Sequence, residues 1–154
     1  MILSSSIFAS NASRLTYGDW NVSCTNADNC IASTRATGRT DALPYTFELR
    51  ILRHGSPVEG LEVVFRFEQA SPGETSPIIL AIEDGPSFRF EPQSDYMADG
   101  DVYRLAPGPK VDKLTEGLVE GNKMYVTFVN PQLRETWVEM SLKGAREAIA
   151  DILE

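Results

Sequence analysis

The two cysteines of this chain, Cys24 and Cys30, both fall in the stretch Tyr17–Ala36, YGDWNVSCTNADNCIASTRA. Their setting constrains the fold more than any other feature. Over Tyr17–Cys24, residues Trp20, Val22 and Cys24 alternate with Asp19, Asn21 and Ser23, the period-two pattern of a strand with one buried face. Thr25–Asn29 is rich in Asn and Asp, whose side chains bond their own backbone and tolerate left-handed geometry, so it reads as a turn. Ile31–Ala36 returns as a second strand, with Cys30 near the position opposite Cys24. The pair has two readings: a disulfide closing the base of a hairpin, which needs an oxidising compartment, or two reduced structural thiols. The disulfide is the preferred one. The spacing is wrong for a C-x-x-C redox or zinc motif, and His54 is the sole histidine, so a two-cysteine, two-histidine zinc site is excluded.

The chain has 154 residues, which suits a single domain. Fourteen basic residues against 22 acidic ones give a formal charge of −8. Such a surface is repelled by phosphate backbones and anionic lipid, so neither nucleic acid nor a membrane surface is an expected partner. No apolar run approaches the roughly 18 residues of a transmembrane helix, so no integral membrane segment is expected. Met1–Ala12, MILSSSIFASNA, is apolar and small and ends in Ser10-Asn11-Ala12. Small residues at those positions are what a signal peptidase accepts. Residues 1–13 are therefore read as the remnant of an export signal or as a disordered tail, and residues 14–154 as one domain in the periplasm or outside the cell.

Beyond the first hairpin, Thr37–Pro44 reads as a Gly/Asp loop. Tyr45, Phe47, Leu49 and Ile51 then alternate with Thr46, Glu48 and Arg50, and Leu61, Val63, Phe65 and Phe67 with Glu62, Arg66 and Glu68. Paired, these strands place Glu48, Arg50, Arg66 and Glu68 in an outer polar ladder. Ala70–Pro77 is a Pro/Gly/Ser loop, Ile78–Ile82 a short apolar strand, Ser87–Glu91 another, and Gln93–Asp101 an acidic, irregular stretch. Val102–Leu105 is a brief strand. Val111, Leu114, Leu118 and Val119 fall at helical spacing, with Gly121 as C-terminal cap. Lys123–Asn130 and Glu135–Leu142 form a last hairpin, and Gly144–Leu153 a second helix with Ala145, Ala148, Ile149 and Ile152 in one stripe and Ser141 as N-cap. Many short strands with Pro/Gly turns and two short helices, one before the last hairpin and one at the C-terminus, predict an all-β, immunoglobulin-like β-sandwich. Its expected core contains Trp20, Val22, Phe47, Leu49, Ile51, Val63, Phe65, Phe67, Ile82, Val126 and Phe128.

Two separated stretches carry a family resemblance. YGDWNVSC…C is similar to the F/Y-G-D-W-x-V-x-C…C opening of the invasion-associated locus B proteins of Gram-negative bacteria, shared by a sister group of uncharacterised periplasmic proteins. Val111–Gly121 resembles their D-x-L-x-x-L-x-x-G helix and Lys123–Val129 the K-x-x-x-x-F strand that follows. Val138–Ile152, VEMSLKGAREAIADI, resembles the P-x-S-L-x-G-F-x-x-A-x-x-x-L close. The resemblance implies a secreted or periplasmic β-sandwich, in a family named for host-cell invasion and without a settled biochemical activity. Family members commonly carry a second C-x4-C pair. The matching positions here are Tyr96 and Asp101, and Ala145 stands where the family has Phe.

No catalytic constellation stands out. His54, the one imidazole for a Ser-His-Asp set, sits at a strand end and reads as an exposed turn residue. No G-x-S-x-G elbow, P-loop or G-x-G-x-x-G occurs. Asp95, Asp99 and Asp101 cluster in SDYMADGD, which reads as an ordinary acidic loop, with calcium ligation as the weaker reading because the spacing is not that of an EF-hand. No metal and no cofactor is expected. Trp137 shares a strand face with Glu135 and Glu139, and Tyr125 lies on the corresponding face of the neighbouring strand. These two rings form a candidate platform for a protein or glycan. The competing and preferred reading has the C-terminal helix covering Trp137 with Ile149 and Ile152. The functional expectation is a non-enzymatic, exported interaction domain with contact surfaces at Ala70–Pro77, Gln93–Asp101 and the Tyr125/Trp137 face. The rivals are a periplasmic enzyme inhibitor presenting the loop held by Cys24–Cys30, and a hydrolase using paired carboxylates. Partner identity and oligomeric state are not legible in the sequence.

Overall fold

The computed structural model describes residues 13–26, 29–40, 43–55 and 60–154. The expectations for Met1–Ala12, and for the turn residues at 27–28, 41–42 and 56–59, lie outside the described residues.

Eleven strands and two helices are described. In chain order they are β1 (Ser13–Tyr17), β2 (Trp20–Asn26), β3 (Asn29–Thr40), β4 (Leu43–His54), β5 (Glu62–Glu68), β6 (Ile78–Ile82), β7 (Ser87–Phe90), β8 (Tyr96–Asp99), β9 (Val102–Leu105), α1 (Pro109–Glu120), β10 (Lys123–Val129), β11 (Glu135–Ser141) and α2 (Ala145–Leu153). The strands form two antiparallel sheets, one in the order β1-β2-β3-β4-β5-β9-β8 and one in the order β11-β10-β6-β7. The fold is therefore the expected β-sandwich with two helices, and every residue of the expected core is buried.

Aromatic rings join the two layers. Phe67 of β5 lies 5.0 Å from Phe47 of β4, 5.0 Å from Tyr103 of β9 and 4.9 Å from Phe128 of β10, centroid to centroid. The contacts of Phe67 with Tyr103 and Phe128 are edge-to-face, an arrangement that adds about 0.5–1.5 kcal/mol to the burial of each ring pair. The apolar stripe of α2, Ala145, Ala148, Ile149 and Ile152, is buried where that helix meets β1, β2, β3, β4 and α1. The outer ladder forms as expected: Glu48 is opposite Arg66, and its carboxylate meets Arg50 at 2.8 Å and Arg35 at 3.5 Å, while Arg66 also holds Glu68 and Asp101.

Four local expectations are corrected. The alternation through Tyr17–Cys24 is interrupted by a two-residue turn, Gly18–Asp19, so that Tyr17 pairs with Trp20 and β1 becomes a separate edge strand. Gly18 takes φ +56°, a conformation L side chains resist. The Thr37–Pro44 loop is instead the far end of the β3–β4 hairpin, paired as far as Thr40 with Leu43. Gln93–Asp101 contains β8, which pairs with β9. Gly121 is the C-cap of α1 as expected, in extended geometry at φ −88°, whereas α2 is entered through Gly144 rather than capped by Ser141.

Ser141 has another task. Its hydroxyl donates to the Asp19 carboxylate at 2.6 Å and accepts from the Lys143 N–H at 3.1 Å. The Asp19 N–H donates to the Lys143 carbonyl at 2.9 Å, and the Tyr17 hydroxyl donates to Asp151 on α2 at 3.1 Å. The Y-G-D-W turn and the S-L-K-G connector are thus two halves of one clasp.

Candidate binding surface

The disulfide is formed. Cys24 and Cys30 are direct cross-strand partners on β2 and β3, with an S–S bond of 2.10 Å. Across the turn, the Asn29 N–H donates to the Asn26 side-chain oxygen at 3.1 Å, the turn chemistry expected of Asn. The buried Arg53 guanidinium packs 3.8 Å from the Cys30 sulfur.

The acidic trio does not converge. Asp95 is a structural clamp: its carboxylate accepts from the Glu91 N–H at 2.8 Å and from Lys110 at 2.8 Å, tying α1 to the end of β7. Those two bonds hold its carboxyl below the usual Asp range. Asp101 binds Arg66 at 3.0 Å, and Asp99 lies exposed at the end of β8. Among the described residues no group of three or more His, Cys, Asp or Glu side chains is placed to hold a metal ion. His54 is exposed and faces Glu62 at 3.3 Å.

A cleft of about 500 Å³ opens at one end of the sandwich, lined among others by Tyr45, Phe67, Gln69, Ser71, Asp101 and Gln132. Asp101 is the one carboxylate in that lining, and Arg66 engages it. This is not the facing pair of acids that glycoside hydrolysis needs.

Trp137 and Tyr125 do come together. Strand β10 is flanked by β11 and β6, and the register fixes which side chains share the outer face of this sheet. Thr127 lies between Trp137 and Ile79, and Tyr125 between Glu139 and Ala81. The two rings sit diagonally, with centroids 6.2 Å apart and planes inclined at 56°. Trp137 is 57% exposed. The helix expected to cover it packs elsewhere, with Ile149 and Ile152 buried where α2 meets the other sheet. Val129, Thr127, Tyr125, Ile79 and Ala81 are all half-buried on this face, and Leu133, at the tip of the β10–β11 turn, is 85% exposed. Ile79 and Val129 are members of the face that the sequence reading does not single out. The available signal was period two: the outward positions of β6 and β10 are largely apolar, where the outward positions of β4 and β5 carry mostly charges.

Acidic groups border the rings. The Tyr125 hydroxyl donates to Glu83 at 3.4 Å, and Lys123 meets Glu139 at 3.6 Å. Desolvation is the largest cause raising the Tyr125 phenol above its ordinary value, and Glu83 and Glu139 add to it against Lys123. Lys123 is raised in turn, first by Glu139 and then by Glu83.

Two antiparallel sheets, a hairpin disulfide and an open aromatic face place the chain in the class of β-sandwich domains. Among solved structures it is similar to the crystal structure of invasion associated protein B from Bartonella henselae, with a TM-score of 0.61 and 12% identity over 92% of this chain and 96% of that one. At that identity the likeness is one of fold. No family model matches the chain, and no curated protein matches it at a significant level.

Proposed function

We propose that residues 14–154 form an exported, non-enzymatic interaction domain that meets a protein or glycan through the outer face of the four-stranded sheet. The observation that carries this reading is the exposed Trp137 ring beside Tyr125, on a face whose outward positions on β6 and β10 are largely apolar. Exposed aromatics of this kind are enriched where one protein meets another molecule. Export is supported by the Cys24–Cys30 disulfide, since such bonds persist in oxidising compartments such as the periplasm or cell exterior. Among the described residues no helix is long and apolar enough to cross a membrane. A role at the bacterial envelope or in host contact follows from the resemblance to invasion-associated locus B proteins, and the similar Bartonella protein is itself called invasion-associated.

A photo-crosslinking residue at position 137, with a matched one at the exposed Met97 on β8 of the other sheet, tests the surface in envelope and host-cell extracts. A product formed from position 137 and not from position 97 is expected. Products from position 97 alone, or from neither, would overturn the assignment of this face.

A further inference from the structure

We infer that the Trp137/Tyr125 face takes a cationic side chain, the arginine or lysine of a basic peptide segment. This rests on the face being a binding surface, and it names the chemistry of the partner.

Charge complementarity carries the inference. Glu135 and Glu139 stand two residues either side of Trp137 on the same side of β11, about 7 Å away along the strand. A cation over the exposed indole therefore lies between two carboxylates. Such a cation is attracted by the ring quadrupole when it approaches within about 6 Å of the centroid. Glu83, reached through the Tyr125 hydroxyl, adds a third carboxylate. Lys123 is the lysine on this face; it is engaged by Glu139 at 3.6 Å and also feels Glu83, so one ammonium stands against the three carboxylates and the face stays net negative. Arg89 is at the other end of the row, beyond Ile79, and is bonded to Glu91.

The chain contains the same recognition chemistry in completed form. Lys110 Nζ lies 5.4 Å from the centre of the Phe90 ring while it binds the Asp95 carboxylate at 2.8 Å. Aromatic face, carboxylate and ammonium are all supplied from within there. At Trp137 the chain supplies the aromatic face and the carboxylates. The formal charge of −8 favours approach of a basic partner generally. The flanking acids select for arginine or lysine over an uncharged sugar.

The test uses the full chain and three probes: a blocked peptide alternating Arg and Gly, the same peptide with Glu in place of Arg, and a neutral glucose oligosaccharide. Indole resonances read out binding, because buried Trp20 and exposed Trp137 are the two tryptophans. The Arg peptide is expected to shift the Trp137 signal and leave Trp20 in place, confirming an intact core. Trp137→Ala should weaken binding about tenfold, Trp137→Phe less, and Glu135→Gln and Glu139→Gln about threefold each, with weaker binding at high salt. Equal binding of the Glu peptide overturns the inference, as does an unmoved Trp137 signal with all three probes. A Trp137 shift with the oligosaccharide alone also overturns it, while leaving the face a binding surface. If the crosslinker at position 137 fails as well, the broader reading falls with it.

Discussion

Gly144 lies directly against the backbone carbonyl of Tyr17, so close that a β-carbon on it would overlap that oxygen. The residue also takes φ +95°. Across the same contact, a β-carbon on Gly18 would stand 2.6 Å from the Lys143 carbonyl oxygen. Two glycines at opposite ends of the chain let two backbones approach closely enough for the Asp19 N–H to reach Lys143.

Gly144→Ala is therefore expected to destabilise the fold by about 3 kcal/mol or more, combining left-handed strain with an overlap against backbone that cannot swing aside. Urea denaturation measures the loss. Hydrogen exchange should show the excess opening concentrated in β1 and α2.

The disulfide should stabilise the β2–β3 hairpin through the unfolded chain. A ring this short is worth about 2 kcal/mol in the loop-entropy picture. Reductant, or Cys24→Ser with Cys30→Ser, should lower the unfolding free energy by that amount and shift the denaturation midpoint down accordingly, while the far-ultraviolet dichroism of the sheets persists. A mass measurement without reductant should show both thiols oxidised.

Much of this architecture is legible in the alternation of residues. Phe47, Leu49, Ile51, Val63, Phe65 and Phe67 announce two buried strand faces because a sheet core needs every second side chain, and all six are buried. The turn at Gly18–Asp19 marks a change of phase, with Tyr17 at an odd position like Asp19, Asn21 and Ser23, and the clean alternation that follows obscures that break. Thr37–Thr40 reads as loop because Gly and Thr carry little pattern, yet pairing to β4 carries the hairpin on. The fate of Trp137 was illegible for a different reason. An apolar stripe on a helix shows that it packs, not on which layer, and α2 meets β1–β4 instead of covering β11. The two terminal motifs are separately visible, but that they meet is a tertiary fact.

Asp95 gives the fold an acid limb. Its carboxyl is held below the ordinary value of 3.8, first by the Glu91 N–H and then by Lys110, so the unfolded chain binds its proton at a higher pH than the native one. Its contribution is present above about pH 4 and is lost as pH falls through the native value. Asp95→Asn should lower stability at neutral pH and flatten its decline below pH 4. Urea midpoints taken across that range for both proteins would measure it.

At the alkaline end the sign reverses. The Tyr45 hydroxyl donates to the Trp137 backbone carbonyl, linking the first sheet to the strand that carries the exposed ring. Burial pushes its pKa from 10.0 to about 12, and burial is also the main cause raising Tyr96, likewise to about 12. A group that stays protonated longer in the native state makes unfolding easier once the unfolded chain starts to ionise. Stability should hold to about pH 9, then fall through the window from 10 to 12. Tyr45→Phe should cost about 1 kcal/mol at neutral pH, from the lost hydrogen bond. Because phenylalanine has no proton to lose, the variant's alkaline fall is shallower. The two stability curves should therefore draw together above pH 10, and a gap that stays constant there would mean that Tyr45 ionises as readily in the native state as in the unfolded chain.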